Sequence, residues 1–266
     1  LAKDRAQAEF SLTVRDYLAR AVGAARISAG RAALGRHAAL FDRIEAGFAV
    51  PRTILAAIWG IETSFGENRG QVPLLAAVAT LAHDGRRAAF FQAELMAALR
   101  MAEWAGVDGA ALRGSWAGAS GHMQFMPSSV LAHAVDFDGD GRIDLQRSPV
   151  DAIGSVAKYL ADHGWLPQRA NYFDITPPSD PQALSKLLEP DILPTFTASQ
   201  MKGFGVVLPP AAEQYDGKLA LVQLLNGADT PTLIAGTANF YAITRYNQSS
   251  YYALAVIQLG QAVSAP

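Results

Sequence analysis

The stretch that decides the fold spans residues 54–66 and reads Ile-Leu-Ala-Ala-Ile-Trp-Gly-Ile-Glu-Thr-Ser-Phe-Gly. Apolar side chains recur at positions 54, 58, 61 and 65, which is the spacing of one helical face. Pro51 precedes the stretch and suits the first turn of a helix. Glu62 is the only charged residue in it. The pattern predicts a core helix with a single carboxyl group beside its apolar face.

The carboxyl group of Glu62 is the first candidate for catalysis. Burial disfavours the charged form of a carboxyl group and so raises its pKa. A glutamic acid that keeps its proton near neutral pH can donate it to a leaving oxygen, as the glutamate beside a tryptophan does in lysozyme. From this stretch alone, a side chain that leans into solvent or pairs with an arginine remains an alternative, because isolated acids mark active sites only as a tendency.

A second unusual segment, residues 114–129, reads Gly-Ser-Trp-Ala-Gly-Ala-Ser-Gly-His-Met-Gln-Phe-Met-Pro-Ser-Ser. Many glycines and serines beside large apolar residues are typical of a loop that brings backbone close to a ligand. Ser115 and Gln124 are its hydrogen-bonding candidates, and we expect His122 at the rim of the cleft. The alternative is a tight loop packed over a core, with Pro127 starting a helix.

The composition fits a folded protein and excludes several functions. With 266 residues, 50% of them hydrophobic, the chain can bury a sizeable core in one large or two modest domains. A net charge of -2 and 17% charged residues supply no basic face, so nucleic acid is not expected as a partner. The lack of cysteine excludes disulfides and thiolate catalysis. No apolar run is long enough to span a bilayer.

Helical patterns flank one contrasting region of the chain. Residues 4–48 and 51–166 carry apolar residues at helical spacing, interrupted by glycine-rich loops. Nine of the fourteen prolines lie between 167 and 231, where they exclude long helices and indicate short strands with one helix near 181–188. Helical spacing returns at 236–263. The sequence predicts a mainly α-helical (α+β) protein with a small inserted β-containing part.

Together, the two unusual segments resemble the B-type lytic murein transglycosylases. Further matching segments lie at residues 84–91, 136–141, 149–160 and 239–247, so the resemblance runs from about residue 10 to about residue 262. It implies a lysozyme-like fold with a helical core at 49–166. The other implied parts are an N-terminal helical segment at 1–48, a β-containing subdomain at 167–235, and C-terminal helices at 236–266 that complete the core.

The resemblance implies cleavage of the β-1,4 bond between N-acetylmuramic acid and N-acetylglucosamine in peptidoglycan. In this family the 6-hydroxyl of the muramic acid attacks its own anomeric carbon, which gives a 1,6-anhydro product. Glu62 would act first as acid and then as base. Hydrolytic glycosidases need a second carboxylate, and residues 115–129 and 239–259 contain none. A hydrolytic muramidase using Glu67 or Asp84, or an inactive peptidoglycan-binding scaffold, remain the alternatives.

The same resemblance implies a set of substrate-binding residues. Ser115 and Gln124 would bond the carboxyl group or the neighbouring N-acetyl group, and two arginines would meet the anionic parts of peptidoglycan. Several tyrosines, a phenylalanine and an asparagine would line the cleft or offer faces to sugar rings. For each residue the alternative is ordinary packing or surface exposure. These further residues are Arg86, Arg87, Phe125, Tyr246, Asn247, Tyr252, Tyr159 and Tyr17.

An acidic segment at 136–144 resembles the first half of an EF-hand loop, and we expect the whole loop to extend to residue 151. Acids stand at loop positions 1, 3, 5 and 9, glycine stands at 6, and Arg142 would offer its backbone carbonyl at 7. Arg147 replaces the glutamate expected at position 12, so Asp151 is our candidate to close the site. The predicted ligands of a structural Ca²⁺ are Asp136, Asp138, Asp140, Arg142, Asp144 and Asp151. A metal-free turn is the alternative, and catalysis is expected to need no cofactor.

The resemblance also implies a periplasmic protein that acts on peptidoglycan glycan strands. The chain starts at Leu1, and we expect that a signal or lipid-attachment segment for the outer membrane was removed from it. Proteins of cell-wall synthesis or division are the expected partners. We expect a monomer.

Overall fold

The computed structural model describes residues 12–265, which group into two compact units. The first unit holds Ala24–Asp162 and residues 260–265, and the second holds residues 12–23 and His163–Leu259. Residues 1–11 of the predicted N-terminal segment lie outside the described residues. The grouping differs from the prediction at 236–259, which cluster with the β-containing region instead of the helical core.

The first unit is built from helices. Helix α1, Val14–Ala21, precedes it in the chain and belongs to the second unit. The helices of the first unit are α2 (Ala24–Arg36), α3 (Ala38–Phe48), α4 (Arg52–Thr63), α5 (Leu74–Asp84), α6 (Ala88–Ala105), α7 (Pro127–His133) and α8 (Pro149–Asp162). A short antiparallel pair, β1 (Val72–Pro73) with β2 (Arg113–Gly114), joins two of its loops.

Helix α4 is the central element of the first unit. It packs against α2, α3 and α8. Leu55, Ile58 and Trp59 are at most 3% exposed, and full burial of such side chains contributes on the order of 1.5–3 kcal/mol each. The predicted core helix is therefore confirmed, and its last turn carries Glu62.

The second unit combines a small sheet with short helices. An antiparallel sheet has the strand order β3-β5-β4. A core that includes Leu187, Met201 and Leu221 packs in this unit. Its elements after α1 are β3 (Tyr172–Asp174), α9 (Pro181–Leu188), α10 (Ala198–Gly203), α11 (Pro210–Glu213), β4 (Ala220–Asn226), β5 (Asp229–Gly236), α12 (Ala238–Asn247) and α13 (Ser250–Ser264), the last of which ends in the first unit.

The proline-rich region confirms the predicted strands and the helix at α9, but it also contains α10 and α11. Their signals are readable in retrospect. Thr197 and Gln200 form a capping box at the start of α10, and Pro210 occupies the first turn of α11. The mainly α-helical class with a smaller β part is confirmed.

Within residues 12–265, no single helix is long and apolar enough to cross a membrane. The pair α3 and α4 passes that test by length and composition together, with a bend of 115° between the two helices.

Candidate active site

Glu62 stands one residue before an abrupt helix end and is partly exposed. The backbone then takes a positive φ three times in succession, at Ser64 (51°), Phe65 (61°) and Gly66 (93°). The N–H of Ser64 still donates to Gly60 O at 3.1 Å. Left-handed backbone at non-glycine residues costs on the order of 1–3 kcal/mol each and persists only where the surroundings impose it. The tight turn fixes the backbone directly after Glu62.

Trp59, in the turn that precedes Glu62, is buried in a cluster of aromatic rings. Only 3% of it is exposed. The rings of His37, Phe65 and His122 surround it at centroid distances of 5.5, 5.7 and 5.8 Å. Inclined aromatic rings at these distances stabilise the structure by more than the burial of their apolar surface alone. The side chain one turn before Glu62 is thus held rigidly.

His122 is buried inside the site, although we expected it at the cleft rim. Its Nδ1 accepts a hydrogen bond from Trp59 Nε1 at 3.2 Å, and its Nε2 lies 3.4 Å from a guanidinium nitrogen of Arg69. Burial, followed by the positive charge of Arg69, lowers the pKa of His122. A neutral imidazole accepts at one nitrogen only. Trp59 Nε1 and the Arg69 guanidinium are both donors, so the neutral ring can accept a hydrogen bond from only one of them.

Thr63 joins the turn to the glycine-rich loop. Its hydroxyl donates to His122 O at 2.7 Å and accepts from Gly66 N at 2.9 Å. His122 N donates in turn to Leu145 O at 2.9 Å. Thr63 is 1% exposed. The residue that follows Glu62 therefore anchors the helix end to the second segment that the sequence singled out.

Ser115 lies where the glycine-rich loop meets the chain after α4. Its Oγ accepts from the N–H groups of Ala117 at 3.3 Å and Ala119 at 3.2 Å. Since the oxygen receives both bonds, the hydroxyl hydrogen can donate to a ligand. A Cβ at Gly70 would lie 2.2 Å from the carbonyl carbon of Gly114. The two backbones touch here, which places Ser115 beside the segment that carries Glu62.

Gln124 is fixed by both its backbone and its amide group. Its φ is 51°, and Nε2 donates to Gly121 O at 3.0 Å and to Arg69 O at 3.2 Å. Phe125 closes the loop by exchanging two backbone hydrogen bonds with Ser120, at 2.9 and 3.1 Å. Within residues 12–265 no group donates to Oε1 of Gln124, so this oxygen can accept a hydrogen bond from a ligand.

Glu94 is a buried acid that sequence reasoning missed. It is 3% exposed, and its carboxylate accepts from the N–H of Ser128 at 3.0 Å and from its hydroxyl at 2.6 Å. Position 94 shares a buried helical face with Phe91 and Ala98. A lone acid on an apolar face was the available signal. The start of α7 occupies both oxygens of this carboxylate.

Phe125, predicted to offer its face to a sugar ring, and Tyr159, predicted to complete the aromatic lining, are both buried. They are 3% and 7% exposed, and their ring centroids lie 5.7 Å apart. They pack under the loop. Arg86 is exposed, whereas Arg87 is half-buried with its guanidinium 4.8 Å from the ring of Phe91. A role for these four residues in binding stays a prediction.

The other predicted binding residues belong to the second unit. Tyr246 and Tyr252 stack in parallel at 6.2 Å, and Tyr252 is 1% exposed, which again differs from an open face. Asn247 is exposed at the end of α12. Tyr17 packs edge-on against Tyr251 at 5.9 Å. That they line a cleft with Glu62 stays a prediction.

Three of the predicted metal ligands come together. Oxygens of Asp136, Asp138 and Asp151 lie within 4.8 Å of one another, and Asp151 is 2% exposed. Asp140 and Asp144 are not part of this cluster, and their carboxylates accept backbone N–H groups, the first from Arg142 at 2.8 Å and the second from residues 146 and 147 at 3.0 Å. Backbone N–H groups also donate to the clustered carboxylates, among them Gly139 to Asp136 at 2.7 Å and Phe137 to Asp151 at 2.8 Å. Among the described residues, this three-carboxylate cluster fits the oxygen ligands of calcium.

The electrostatics of the cluster also suit a cation. A hydrogen bond from the N–H of Asp140 lowers the pKa of Asp138, but desolvation and the charges of Asp151, Asp140 and Asp136 outweigh it and leave that pKa raised. Carboxylates that repel one another at a shared site favour a bound positive charge or a proton. A ligand role for the Arg142 carbonyl stays a prediction.

Comparison with known proteins adds family relationships to this geometry. Residues 1–261 match the Transglycosylase SLT domain. The chain is 41% identical over 220 residues to membrane-bound lytic murein transglycosylase B of Escherichia coli strain K12, covering 82% of this chain and 58% of that protein. The chain therefore spans less than two thirds of this relative's length.

Two solved structures are similar across nearly the whole chain. Escherichia coli lytic transglycosylase Slt35 in complex with calcium has a TM-score of 0.81 and 35% identity, covering 94% of this chain and 78% of that one. SltB3 from Pseudomonas aeruginosa in complex with NAG-anhNAM-pentapeptide has a TM-score of 0.83 and 35% identity, covering 99% and 70%. With the match to the SLT domain, these likenesses agree with the resemblance seen in the sequence. The chain belongs to the Transglycosylase SLT domain family.

Proposed function

We propose that this protein is a lytic transglycosylase that cleaves peptidoglycan between N-acetylmuramic acid and N-acetylglucosamine. The observation that carries the proposal is the fixed position of Glu62 at the junction of α4 with the glycine-rich loop. Thr63 bonds the loop at His122 O, and Gln124 bonds back at Arg69 O. Family membership supports the same activity, and SltB3 was solved with an anhydro-muramyl ligand.

Glu62 would first donate a proton to the substrate and then accept a proton from it. As an acid it protonates the glycosidic oxygen while the bond from that oxygen to the anomeric carbon breaks. The 6-hydroxyl oxygen of the muramic acid then bonds to the anomeric carbon, and its proton passes to the Glu62 carboxylate. The Ser115 hydroxyl can donate a hydrogen bond to the carboxyl group or to the adjacent N-acetyl group, and Gln124 Oε1 can accept one from either of them. The reaction consumes no water.

Glu94, a buried acid of the first unit, is not free to act as a second reactive carboxylate. Glu94 is engaged with Ser128 at 3.0 and 2.6 Å, and Glu67 is exposed. A hydrolase needs such a group to activate water or attack the sugar. This arrangement favours attack by the substrate's own hydroxyl over hydrolysis.

Products from purified sacculi should therefore lack reducing muramic ends. We expect fragments lighter than hydrolysis products by one water, with muramic ends that resist borohydride. Mass spectrometry before and after borohydride treatment measures both properties, and hen lysozyme digestion of the same sacculi supplies the hydrolytic control. Reducing ends that incorporate oxygen from labelled water would replace this proposal with a muramidase, and Asp84 and Glu67 would be the acids to test first.

We also propose that the acidic loop binds a structural Ca²⁺ through Asp136, Asp138 and Asp151. The proximity of their oxygens and the raised pKa of Asp138 support it, and Slt35 was solved with calcium. The ion would neutralise the cluster and tie the loop to the start of α8, where Asp151 lies. Catalysis by Glu62 does not require it.

Calcium should raise the melting temperature of the protein in a concentration-dependent way, because binding to the folded state alone stabilises it. At a hundred times Kd the gain is about 2.7 kcal/mol. Thermal unfolding with calcium and with a chelator measures the effect. Asp138→Asn should remove the response, while Asp174→Asn, an exposed acid on β3, should retain it. A calcium-independent melting temperature in the unmutated protein would refute the site.

The site of action that we propose is the periplasm, because peptidoglycan lies there. An enzyme that cleaves peptidoglycan has to work in the compartment that contains it. A family relative carries the name membrane-bound, and attachment of this chain to a membrane is a separate proposal. Fractionation of cells that express the full-length protein tests both.

A further inference from the structure

Helix α7 is held at each end by a carboxylate from a different helix. At its start, Glu94 of α6 bonds the N–H and the hydroxyl of Ser128, at 3.0 and 2.6 Å. At its end, Asp162 of α8 bonds Nδ1 of His133 at 2.7 Å. Helix α7 directly follows the glycine-rich loop. The two contacts therefore fix the element on which the end of this loop is mounted.

Glu94 is the buried one of the two carboxylates that hold α7. It is 3% exposed and uses both oxygens. A buried carboxylate is costly unless hydrogen bonds satisfy it, and an apolar residue of similar size often packs equally well without that cost. The stability of α6 alone therefore does not call for an acid here. The acid serves the contact with Ser128.

Three residues separate Ser128 from Gln124, so the contact of Ser128 with Glu94 can act on Gln124 along the chain. Phe125 exchanges backbone hydrogen bonds with Ser120, at 2.9 and 3.1 Å, which closes the loop just after Gln124. Gln124 itself has a φ of 51°, so its backbone has little freedom to absorb a shift. Movement of Ser128 would be passed to the Gln124 side chain.

We infer that Glu94 is a positioning residue for the reaction: through Ser128 it sets the place of Gln124 without exchanging a proton with the substrate. The inference rests on the proposed function. Replacing Glu94 with glutamine distinguishes a positioning role from a role in proton exchange. The glutamine amide can accept from the N–H of Ser128 and donate to the hydroxyl oxygen, so Glu94→Gln keeps both bonds and loses the charge, whereas Glu94→Ala loses both bonds.

Steady-state kinetics on a soluble oligosaccharide of alternating N-acetylglucosamine and N-acetylmuramic acid test this role. We expect Glu94→Ala to lower kcat by between about tenfold and a hundredfold, with KM within about twofold, because misplacement by an ångström has effects of this size. Glu94→Gln should stay within about threefold of the unmutated kcat. Circular dichroism at the assay temperature establishes that each variant is folded.

Asp180→Ala is the matched control. Asp180 also caps a helix with its carboxylate, bonding the N–H groups of Gln182 at 3.0 Å and Ala183 at 3.3 Å at the start of α9 in the second unit. It should keep the unmutated kcat. An equal loss in Asp180→Ala would assign the effect to general destabilisation and overturn the inference, as would an unchanged kcat in Glu94→Ala. A loss in Glu94→Gln as large as in Glu62→Gln would make Glu94 a catalytic acid instead.

A readout without turnover separates this inference from the proposed function. In ¹⁵N-labelled protein, the side-chain amide resonance of Gln124, assigned by its loss in Gln124→Met, should shift in Glu94→Ala and stay in place in Glu94→Gln and Asp180→Ala. If the unmutated enzyme fails to cleave peptidoglycan but this pattern holds, the activity is refuted and the positioning stands. A Gln124 amide resonance that does not move in Glu94→Ala overturns the positioning.

Discussion

Replacing Glu62 with glutamine is expected to abolish the lytic activity, with a loss of at least about a hundredfold in the rate. Glutamine keeps the shape of the side chain but cannot deliver a proton to the leaving oxygen. The fold should persist, because Glu62 is partly exposed in the last turn of α4. Clearing of purified sacculi measures the rate, and circular dichroism measures the fold.

Glu67→Gln provides the control for this loss of charge. Glu67 lies five residues further along the same segment and is exposed, so its substitution should leave the rate within about twofold of the unmutated enzyme. If Glu62→Gln still cleared sacculi at about a tenth of the unmutated rate, Glu62 could not be the proton donor. If Glu67→Gln lost activity to the same extent, the assignment of the single acid would fail.

Gly70→Ala is expected to lower the free energy of unfolding by about 4 kcal/mol or more, which is an exceptional effect for one methyl group. The φ of Gly70 is 81°, and a Cβ there would lie 2.2 Å from the carbonyl carbon of Gly114 and 2.6 Å from Ser115 N. Backbone atoms cannot rotate away as the end of a side chain can. The β1–β2 pair would have to separate. Urea denaturation measures the loss.

Gly85→Ala isolates the part of this effect that comes from backbone strain. Gly85 has a similar φ of 88°, but a Cβ there would meet no atom within 4 Å. We expect a loss of about 1 kcal/mol from the left-handed conformation alone. Equal losses in the two variants would show that the collision with Gly114 does not contribute.

Local patterns in the sequence predicted the elements that carry the chemistry. Helix α4 was predictable because its apolar residues repeat within thirteen positions, and the loop at 114–129 was predictable because its glycines permit close backbone contact. Both signals lie in neighbouring residues. The family resemblance supplied the reaction, which no spacing of residues could have shown.

The partners that hold these elements in place were not predictable in the same way. Thr63 bonds His122 across 59 residues of chain, and Glu94 bonds Ser128 across 34. Such pairings depend on how helices pack, and a single sequence carries no local signal for them. The resemblance implied that Phe125 and Tyr252 contact sugars, but each is at most 3% exposed, and this burial also had no local signal in the sequence. Aromatic residues serve cores and ligands alike.

Grouping into units was the least predictable feature. The helical pattern and the resemblance together predict that residues 236–266 complete the core, whereas 236–259 cluster with the sheet of the second unit. Helical periodicity reports that one face is apolar. It carries no information about which neighbour covers that face.

The joint between α4 and the loop is made mainly with main-chain oxygens as acceptors. Thr63 bonds the carbonyl of His122, His122 N–H bonds that of Leu145, and Gln124 bonds those of Arg69 and Gly121. Every residue type provides a carbonyl. Homologous enzymes can therefore diverge at several of these acceptor positions and still preserve the joint, while the glycines at the close backbone contacts have no such latitude. Mutational tolerance along the segment should follow backbone geometry more than side-chain chemistry.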